Sequence, residues 1–151
     1  MRGITMYKNE LHTSFLSISQ NESLARMIAA AFAAQLNPTI DELTDIRTAV
    51  SEAVTNCIIH GYENRGGTIY MDCSSDDEGI TISIRDEGRG IEDVELARQP
   101  FYTSAAGMDR SGMGFTVMEA FMDRVDVESE VGKGTCVTMR KHISARVEEN
   151  D

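Results

Sequence analysis

Basic residues are scarce in this sequence of 151 residues. Fourteen lysines and arginines stand against 25 aspartates and glutamates, which gives a formal net charge of −11 at pH 7 and an isoelectric point near 4.6. Nucleic acids and anionic membranes are bound mainly through basic surfaces, so this balance argues against direct binding of either. A regulator of transcription that acts by binding a basic protein is still compatible with this excess of acidic residues.

Long apolar runs and paired cysteines are missing as well. No stretch approaches the 18 apolar residues of a membrane-spanning helix, and residues 1–6 lack the apolar centre of a signal peptide. We therefore expect a cytoplasmic protein that does not enter a membrane. Cys57, Cys73 and Cys136 never form a C-x-x-C pair, so we interpret them as small apolar residues in a reducing compartment.

Apolar periodicity predicts one strand and two helices in the first half of the chain. The strand covers residues 11–18, and its alternation slips once, at a point where a bulge can form. The first helix runs from about residue 21 to residue 34. The second opens at residue 38 and continues through His60, and Gly61 is expected to stop it.

The second half of the chain is predicted to consist mostly of strands. Its elements are strand 69–73, strand 80–84, a short helical turn 92–97, an irregular loop 99–110, helix 115–122, a strand around 125–127 and a last strand from 134 to about 141. This order predicts an α+β fold, a two-layer sandwich with helices on one face of a mainly antiparallel mixed sheet. The other face of the sheet is predicted to be polar.

Glu52 and Asn56 share one face of the second predicted helix, away from its apolar stripe. For an isolated pair, a solvated polar face is the simpler interpretation. If a ligand covers this face, the amide oxygen of Asn56 suits magnesium, and Glu52 can act as a general base toward a hydroxyl group. His60 follows near the helix end and is interpreted as a cation that meets the last carbonyls.

Asp86 continues the parity of the buried residues in its predicted strand, so its carboxylate should point inward. An unpaired carboxylate there is costly, and a donor must face it: the backbone of the next turn, or an exocyclic amine such as that of adenine. Gly88 and Gly90 fit either a tight turn or a close approach to a ligand. The hydroxyl of Thr135 should point to the same side and reach the same ligand.

The segment from Arg110 to Gly114 stands where the irregular loop becomes a helix. Free N–H groups at a helix N-terminus favour phosphate, with Arg110 and Ser111 as further donors, although an ordinary Ser-Gly cap is the alternative. The Walker A spacing and the protein-kinase motifs are absent from the sequence, which excludes two common designs of ATP site. Taken together, three such motifs in order favour a nucleotide-binding phosphotransfer site.

At these motifs the chain resembles the GHKL ATPase superfamily, whose nucleotide-binding (Bergerat) fold occurs in histidine kinases and gyrase. Residues 51–62 are similar to its N box, residues 86–91 to its first glycine box and residues 110–115 to its second. The resemblance is closer still to the anti-sigma F factors, and it spans about residues 9–142, the expected core of a single domain over residues 1–151. The segments that carry the closer resemblance are 21–23, 41–44, 97–100 and 111–118.

The resemblance implies a role for each residue of the motifs. Asn56 would bind Mg²⁺, and Asp86 would bind the adenine amine of ATP. Glu52 would be the general base for a substrate serine, Arg110 would touch the terminal phosphate, and Arg26 would lie on the surface shared by two protein partners. The glycines that would shape the phosphate pocket are Gly88, Gly90, Gly112 and Gly114.

Members of this family are homodimeric serine kinases of sporulating bacteria. The resemblance therefore implies a protein that sequesters a sigma factor of the sigma F type and uses Mg-ATP to phosphorylate a serine of its anti-anti-sigma partner. Two alternatives stay open, a nucleotide-gated sigma-binding module without significant kinase activity and a related stress-response anti-sigma kinase. The lysine usual in the family's lid is missing from residues 103–107, which leaves the positive charge near the phosphates to Arg110.

Overall fold

The computed structural model describes residues 8–99 and 111–144, the first three residues of the second range by backbone alone. It contains a five-stranded sheet with helices packed on one face. The strands are β1 (Asn9–Leu16), β2 (Thr68–Ser75), β3 (Gly79–Asp86), β4 (Arg124–Glu130) and β5 (Gly134–His142). They lie in the order β1-β2-β3-β5-β4. The predicted α+β sandwich is confirmed.

Every strand pair among the described residues is antiparallel, so the expectation of a mixed sheet was wrong in this respect. The reason lies in the connections. Two helices between β1 and β2 bring the chain back to the end where it left the sheet, and β2 therefore runs against β1. The strands β3 and β4 do run in the same direction, but β5 lies between them.

The helices are α1 (Gln20–Ala34), α2 (Ile40–Asn56), the short α3 (Val94–Ala97) and α4 (Ser111–Phe121). The start of α2 is fixed by a capping box, in which the Thr39 hydroxyl accepts the Glu42 N–H at 3.0 Å and the Glu42 carboxylate accepts the Thr39 N–H at 2.8 Å. The helices α1 and α4 pack on either side of α2. Their apolar faces and one face of the sheet form a single buried cluster from Phe15 to Ile143.

Two predicted boundaries differ from the structure. The first strand begins earlier and ends at Leu16, and it pairs residue by residue with β2, so no bulge forms. The alternation slipped in the sequence because Leu16 is apolar yet 62% exposed beside the buried Phe15. In addition, α4 begins at Ser111 instead of residue 115, which places Gly114 inside the helix.

The second predicted helix ends in a different geometry from the one expected. Regular α-helix stops at Asn56, and residues Cys57–Gly61 form a π-helical turn, which the Tyr62 N–H closes onto the Cys57 carbonyl at 2.8 Å. Each such turn contains one residue more than an α-helical turn, and π-turns occur frequently at functional sites.

The open face of the sheet is polar, as predicted. His12 contacts Asp72 across β1 and β2 at 2.6 Å, and the Arg85 guanidinium lies 4.1 Å from the centre of the Tyr70 ring. Within residues 8–99 and 111–144, no helix is long and apolar enough to cross a membrane.

Candidate functional site

The polar face of α2 meets the start of α4. Glu52 and Asn56 are half-buried there, whereas the opposite face of α2 is fully buried in the core. A Cβ atom added at Gly114 would lie 3.1 Å from both polar atoms of the Asn56 amide and 3.4 Å from Glu52 Oε1. The first and third sequence motifs are therefore in contact, and a methyl group at Gly114 would fit only if the Asn56 side chain shifted by a few tenths of an ångström.

Asn56 holds an unsatisfied polar atom in this space. Its Nδ2 atom is buried and has no hydrogen-bond partner among the residues that the structure describes. Such a group typically costs about 1–3 kcal/mol, so a buried orphan atom needs an explanation. Because the two ends of an amide have nearly the same shape, a half-turn of the side chain would present its oxygen at the same point. A ligand at this point would remove the cost.

Gly61, at the end of the π-helical turn, joins the first motif to the second. A Cβ atom at Gly61 would lie 2.5 Å from Asp86 Oδ2, and the Gly61 carbonyl accepts the Arg89 N–H at 2.9 Å. Gly88 packs directly on the backbone of Gly61 and has no space for a side chain. This close packing depends on the π-helical turn, because the turn places the Gly61 backbone against the end of β3.

Asp86 is only 4% exposed. Burial raises the pKa of its carboxyl group, and the opposing influences, which lower the pKa, are hydrogen bonds from the Gly88 N–H, the Cys57 thiol and the Thr135 N–H. The Gly88 N–H lies 2.9 Å from Asp86 Oδ1. The backbone of the next turn therefore supplies one of the donors that an inward carboxylate requires.

Thr135 lies directly opposite Asp86 in the register of β3 and β5. Its hydroxyl contacts the Ser129 hydroxyl at 2.8 Å, and Ser129 also receives the Ile91 N–H at 2.7 Å. Gly90 adopts a left-handed conformation (φ 79°) that few other residues tolerate. These contacts fix the segment after Asp86 against β4.

We call the group formed by Glu52, Asn56, Asp86 and Gly114 the central site. Two further predicted residues, Ser111 and Gly112, belong to the first turn of α4, and only their backbone is described. Arg110 and the lid segment 103–107 lie outside the described residues. In the described parts of the chain, no cluster of three histidine, cysteine or acidic side chains could hold a metal ion.

Arg26 lies on a different surface, on α1 where it faces α2. Its Nε atom pairs with Glu22 at 3.2 Å, and the same carboxylate accepts the Ser51 hydroxyl from α2. Arg26 and Arg47 together line a shallow groove between the two helices. Through Glu22, Arg26 is thus linked to the helix that carries Glu52, and its role on a partner surface stays a prediction.

Sequence reasoning missed the contribution of three residues. Gly61 appeared only as a helix stop, and Cys57 only as a small apolar residue. Gly134 appeared only as the first residue of the last predicted strand, yet it is left-handed (φ 125°) and packs on the Asp86 backbone. The Gly-x-Gly pattern that ends at Gly134 was a signal for a close approach, whereas nothing in the sequence indicated the π-helical turn.

Comparisons with known proteins find a matching family model and similar proteins. Residues 19–141 match the family model described as a histidine kinase-like ATPase domain. The anti-sigma F factor of Thermoanaerobacter sp. (strain X514) is 58% identical over 139 residues, which cover 92% of this chain and 97% of that protein. The anti-sigma F factor of Caldanaerobacter subterraneus subsp. tengcongensis is 60% identical over 137 residues, or 91% of this chain and 96% of that protein.

A solved structure supports the same fold. The crystal structure of the RsbU and RsbW domains of Rv1364c from Mycobacterium tuberculosis aligns with 95% of this chain at a TM-score of 0.66. The two sequences are 18% identical, and the alignment covers 35% of that longer chain. At this identity the likeness concerns the fold alone.

Proposed function

Because the chain belongs to the anti-sigma F factors, a family with a histidine kinase-like ATPase domain, we propose that it is an Mg-ATP-dependent serine kinase as well as an anti-sigma factor. It holds a sigma factor of the sigma F type, phosphorylates a serine of an anti-anti-sigma protein, and acts in the cytoplasm as a homodimer. The observation that carries the kinase proposal is the contact of Gly114 with Glu52 and Asn56.

This contact supports the proposal because it brings the start of a helix next to a carboxylate. The first N–H groups of α4 have no partners within the helix, and together with the helix dipole they favour a phosphate group. A phosphate held there by Gly112 and Gly114 would lie beside Asn56 and Glu52.

The chain fits a magnesium ion through Asn56. The orphan amide needs a partner, and magnesium is commonly bound by one or two protein groups together with substrate phosphates instead of by a complete protein cage. The lack of an acidic cage in the described residues agrees with such a site. When bound, the ion neutralises charge on the phosphates.

In this proposal Glu52 is the general base. Its carboxylate is half-buried and lies near the Gly114 backbone, where the terminal phosphate would be. As the bond from the serine Oγ to phosphorus forms, Glu52 accepts the Oγ proton, and the bond between that phosphorus and the leaving ADP oxygen breaks. Apart from this proton transfer, the residues of the central site and Arg110 mainly position the reacting groups and stabilise charge.

Asp86 would bind the adenine end of ATP. A carboxylate can accept hydrogen bonds at about four positions. Donors from the protein occupy only some of these positions at Asp86. A buried acceptor that faced the adenine ring would select an exocyclic amine. The alternative function, a nucleotide-gated clamp for the sigma factor without catalysis, would need Asp86 and Asn56 but no base at Glu52.

Gly114→Ala should weaken Mg-ATP binding by about 10-fold, which corresponds to roughly 1.4 kcal/mol. The added methyl would lie 3.1 Å from the Asn56 amide, where the ligand contacts it. The fold should change little, because the preference of a helix for alanine over glycine, about 0.5–1 kcal/mol, offsets the small shift that the methyl group requires of Asn56. Calorimetric titration with Mg-ATP and thermal unfolding measure the two effects.

The matched control for this change is Ala120→Gly, an exposed position of the same helix. It should lower the stability of α4 without altering nucleotide affinity. If Gly114→Ala bound Mg-ATP as tightly as the parent chain, the contact between Gly114 and Asn56 would have no part in the nucleotide site.

A further inference from the structure

Tyr62 directly follows the π-helical turn and connects it to two other segments of the chain. Its hydroxyl donates to the Thr68 carbonyl at 2.5 Å and accepts the Glu87 N–H at 2.7 Å. Thr68 is the first residue of β2, and Glu87 is the first residue after β3. One hydroxyl group therefore joins the backbone of both strands at the edge of the central site.

Tyr62 is itself held in place through its backbone and through its ring. Its backbone N–H closes the π-helical turn at 2.8 Å from the Cys57 carbonyl. Its ring packs so closely on Gly67 that a Cβ atom there would lie 2.5 Å from the ring. Burial raises the pKa of the Tyr62 hydroxyl, so the proton that it donates to Thr68 stays in place at neutral pH.

The Glu87 N–H lies between Asp86 and Gly88, the two residues of the turn after β3 that would face the ligand. Gly88 donates to the Asp86 carboxylate at 2.9 Å, and Gly61 packs on both residues. Glu87 itself is exposed. Among the described residues, the only acceptor for its N–H is the Tyr62 hydroxyl.

We propose that Tyr62 is a positioning residue for base recognition: its hydroxyl fixes the Glu87 amide and thereby the orientation of the Asp86 carboxylate and the Gly88 backbone. This inference rests on the proposed ATP site, because it assigns Tyr62 a role in how that site selects adenine. A phenylalanine would preserve the ring and its packing on Gly67 while removing the two hydrogen bonds.

The test compares Tyr62→Phe with Tyr70→Phe in the full chain. Tyr70 is a matched control, since its ring stacks with Arg85 on the open face of the sheet. Dissociation constants are measured for Mg-ATP and for Mg-ITP, which carries a carbonyl group in place of the 6-amino group. Tyr62→Phe should bind ATP about 5- to 10-fold more weakly, the effect of losing the hydrogen bond to the Glu87 N–H, and ITP within about twofold of the parent, whereas Tyr70→Phe should change neither.

A second measurement does not depend on nucleotide. Hydrogen exchange of the Glu87 amide, followed by NMR in the nucleotide-free protein, should become about 10-fold faster in Tyr62→Phe and stay unchanged in Tyr70→Phe. Unchanged exchange at Glu87, or equal weakening of ATP and ITP, would overturn the positioning role.

The outcomes also separate this inference from the proposed function. A parent chain that binds neither nucleotide would overturn both. A parent chain that prefers ATP, combined with an unaltered ATP-to-ITP ratio in Tyr62→Phe, would overturn the role of Tyr62 alone.

Discussion

Glu52→Ala should slow phosphorylation of the anti-anti-sigma partner by about 10²- to 10⁴-fold, the usual contribution of a general base. Mg-ATP binding should stay within about twofold of the parent chain, because the proposed nucleotide contacts come from Asn56, Asp86 and the start of α4. Phosphate transfer to the partner under single-turnover conditions and calorimetric titration with Mg-ATP measure the two quantities separately.

The control for this variant is Glu78→Ala, which removes an exposed carboxylate in the turn before β3, at the other end of that strand from Asp86. It should phosphorylate the partner at the parent rate. Unchanged transfer by Glu52→Ala would remove Glu52 from the role of base. A parent chain that transfers no phosphate to any partner would instead favour the alternative in which the protein is a clamp.

Asp86→Asn should weaken Mg-ATP binding by about 10- to 100-fold, because a hydrogen bond to a charged group contributes about 1.5–3 kcal/mol. An asparagine carries no charge, and its amide can present an N–H group to the adenine amine where an acceptor is required. The dissociation constant of Mg-ATP, measured for the parent chain and the variant at the same pH, gives the effect directly.

The same variant should keep or increase the stability of the nucleotide-free protein. Burial raises the pKa of Asp86 above its ordinary value of 3.8, so the folded chain binds this proton more tightly than the unfolded chain does. Stability from this group is therefore greatest below the unfolded pKa and falls as the pH rises through the folded pKa. At pH 7 the buried carboxyl group therefore lowers the stability of the parent chain, and Asp86→Asn removes this destabilisation.

Asp77→Asn is the matched control, since Asp77 is an exposed acid in the turn between β2 and β3. It should change neither the unfolding midpoint nor nucleotide affinity. A lower unfolding midpoint for Asp86→Asn would mean that the carboxylate stabilises the fold. An unaltered dissociation constant would contradict the assignment of Asp86 to adenine.

Strand parity and helix periodicity predicted much of this architecture because both depend on local spacing. The alternation of the three isoleucines in β3 placed Asp86 on the buried side, and the structure agrees. The prediction failed where an apolar residue is exposed, as at Leu16, because periodicity cannot distinguish an exposed leucine from a buried one.

The contacts inside the central site could not be predicted from spacing. The π-helical turn depends on tertiary packing, since its Gly61 backbone must fit against Asp86 and Gly88. The meeting of Gly114 with Asn56 joins residues 58 positions apart in the sequence, and only the packing of α4 on α2 brings them together. The role of Tyr62 likewise depends on contacts with strands that the sequence does not place beside it.

Phosphate transfer from labelled Mg-ATP tests the central claim most directly. The parent chain is incubated with candidate sigma and anti-anti-sigma proteins from its own genome, and both label transfer and complex formation are recorded. We predict that one anti-anti-sigma protein acquires label on a serine and that one sigma factor forms an ATP-dependent complex. ATP-dependent complex formation without label on any candidate would contradict the kinase assignment and would identify a nucleotide-gated clamp.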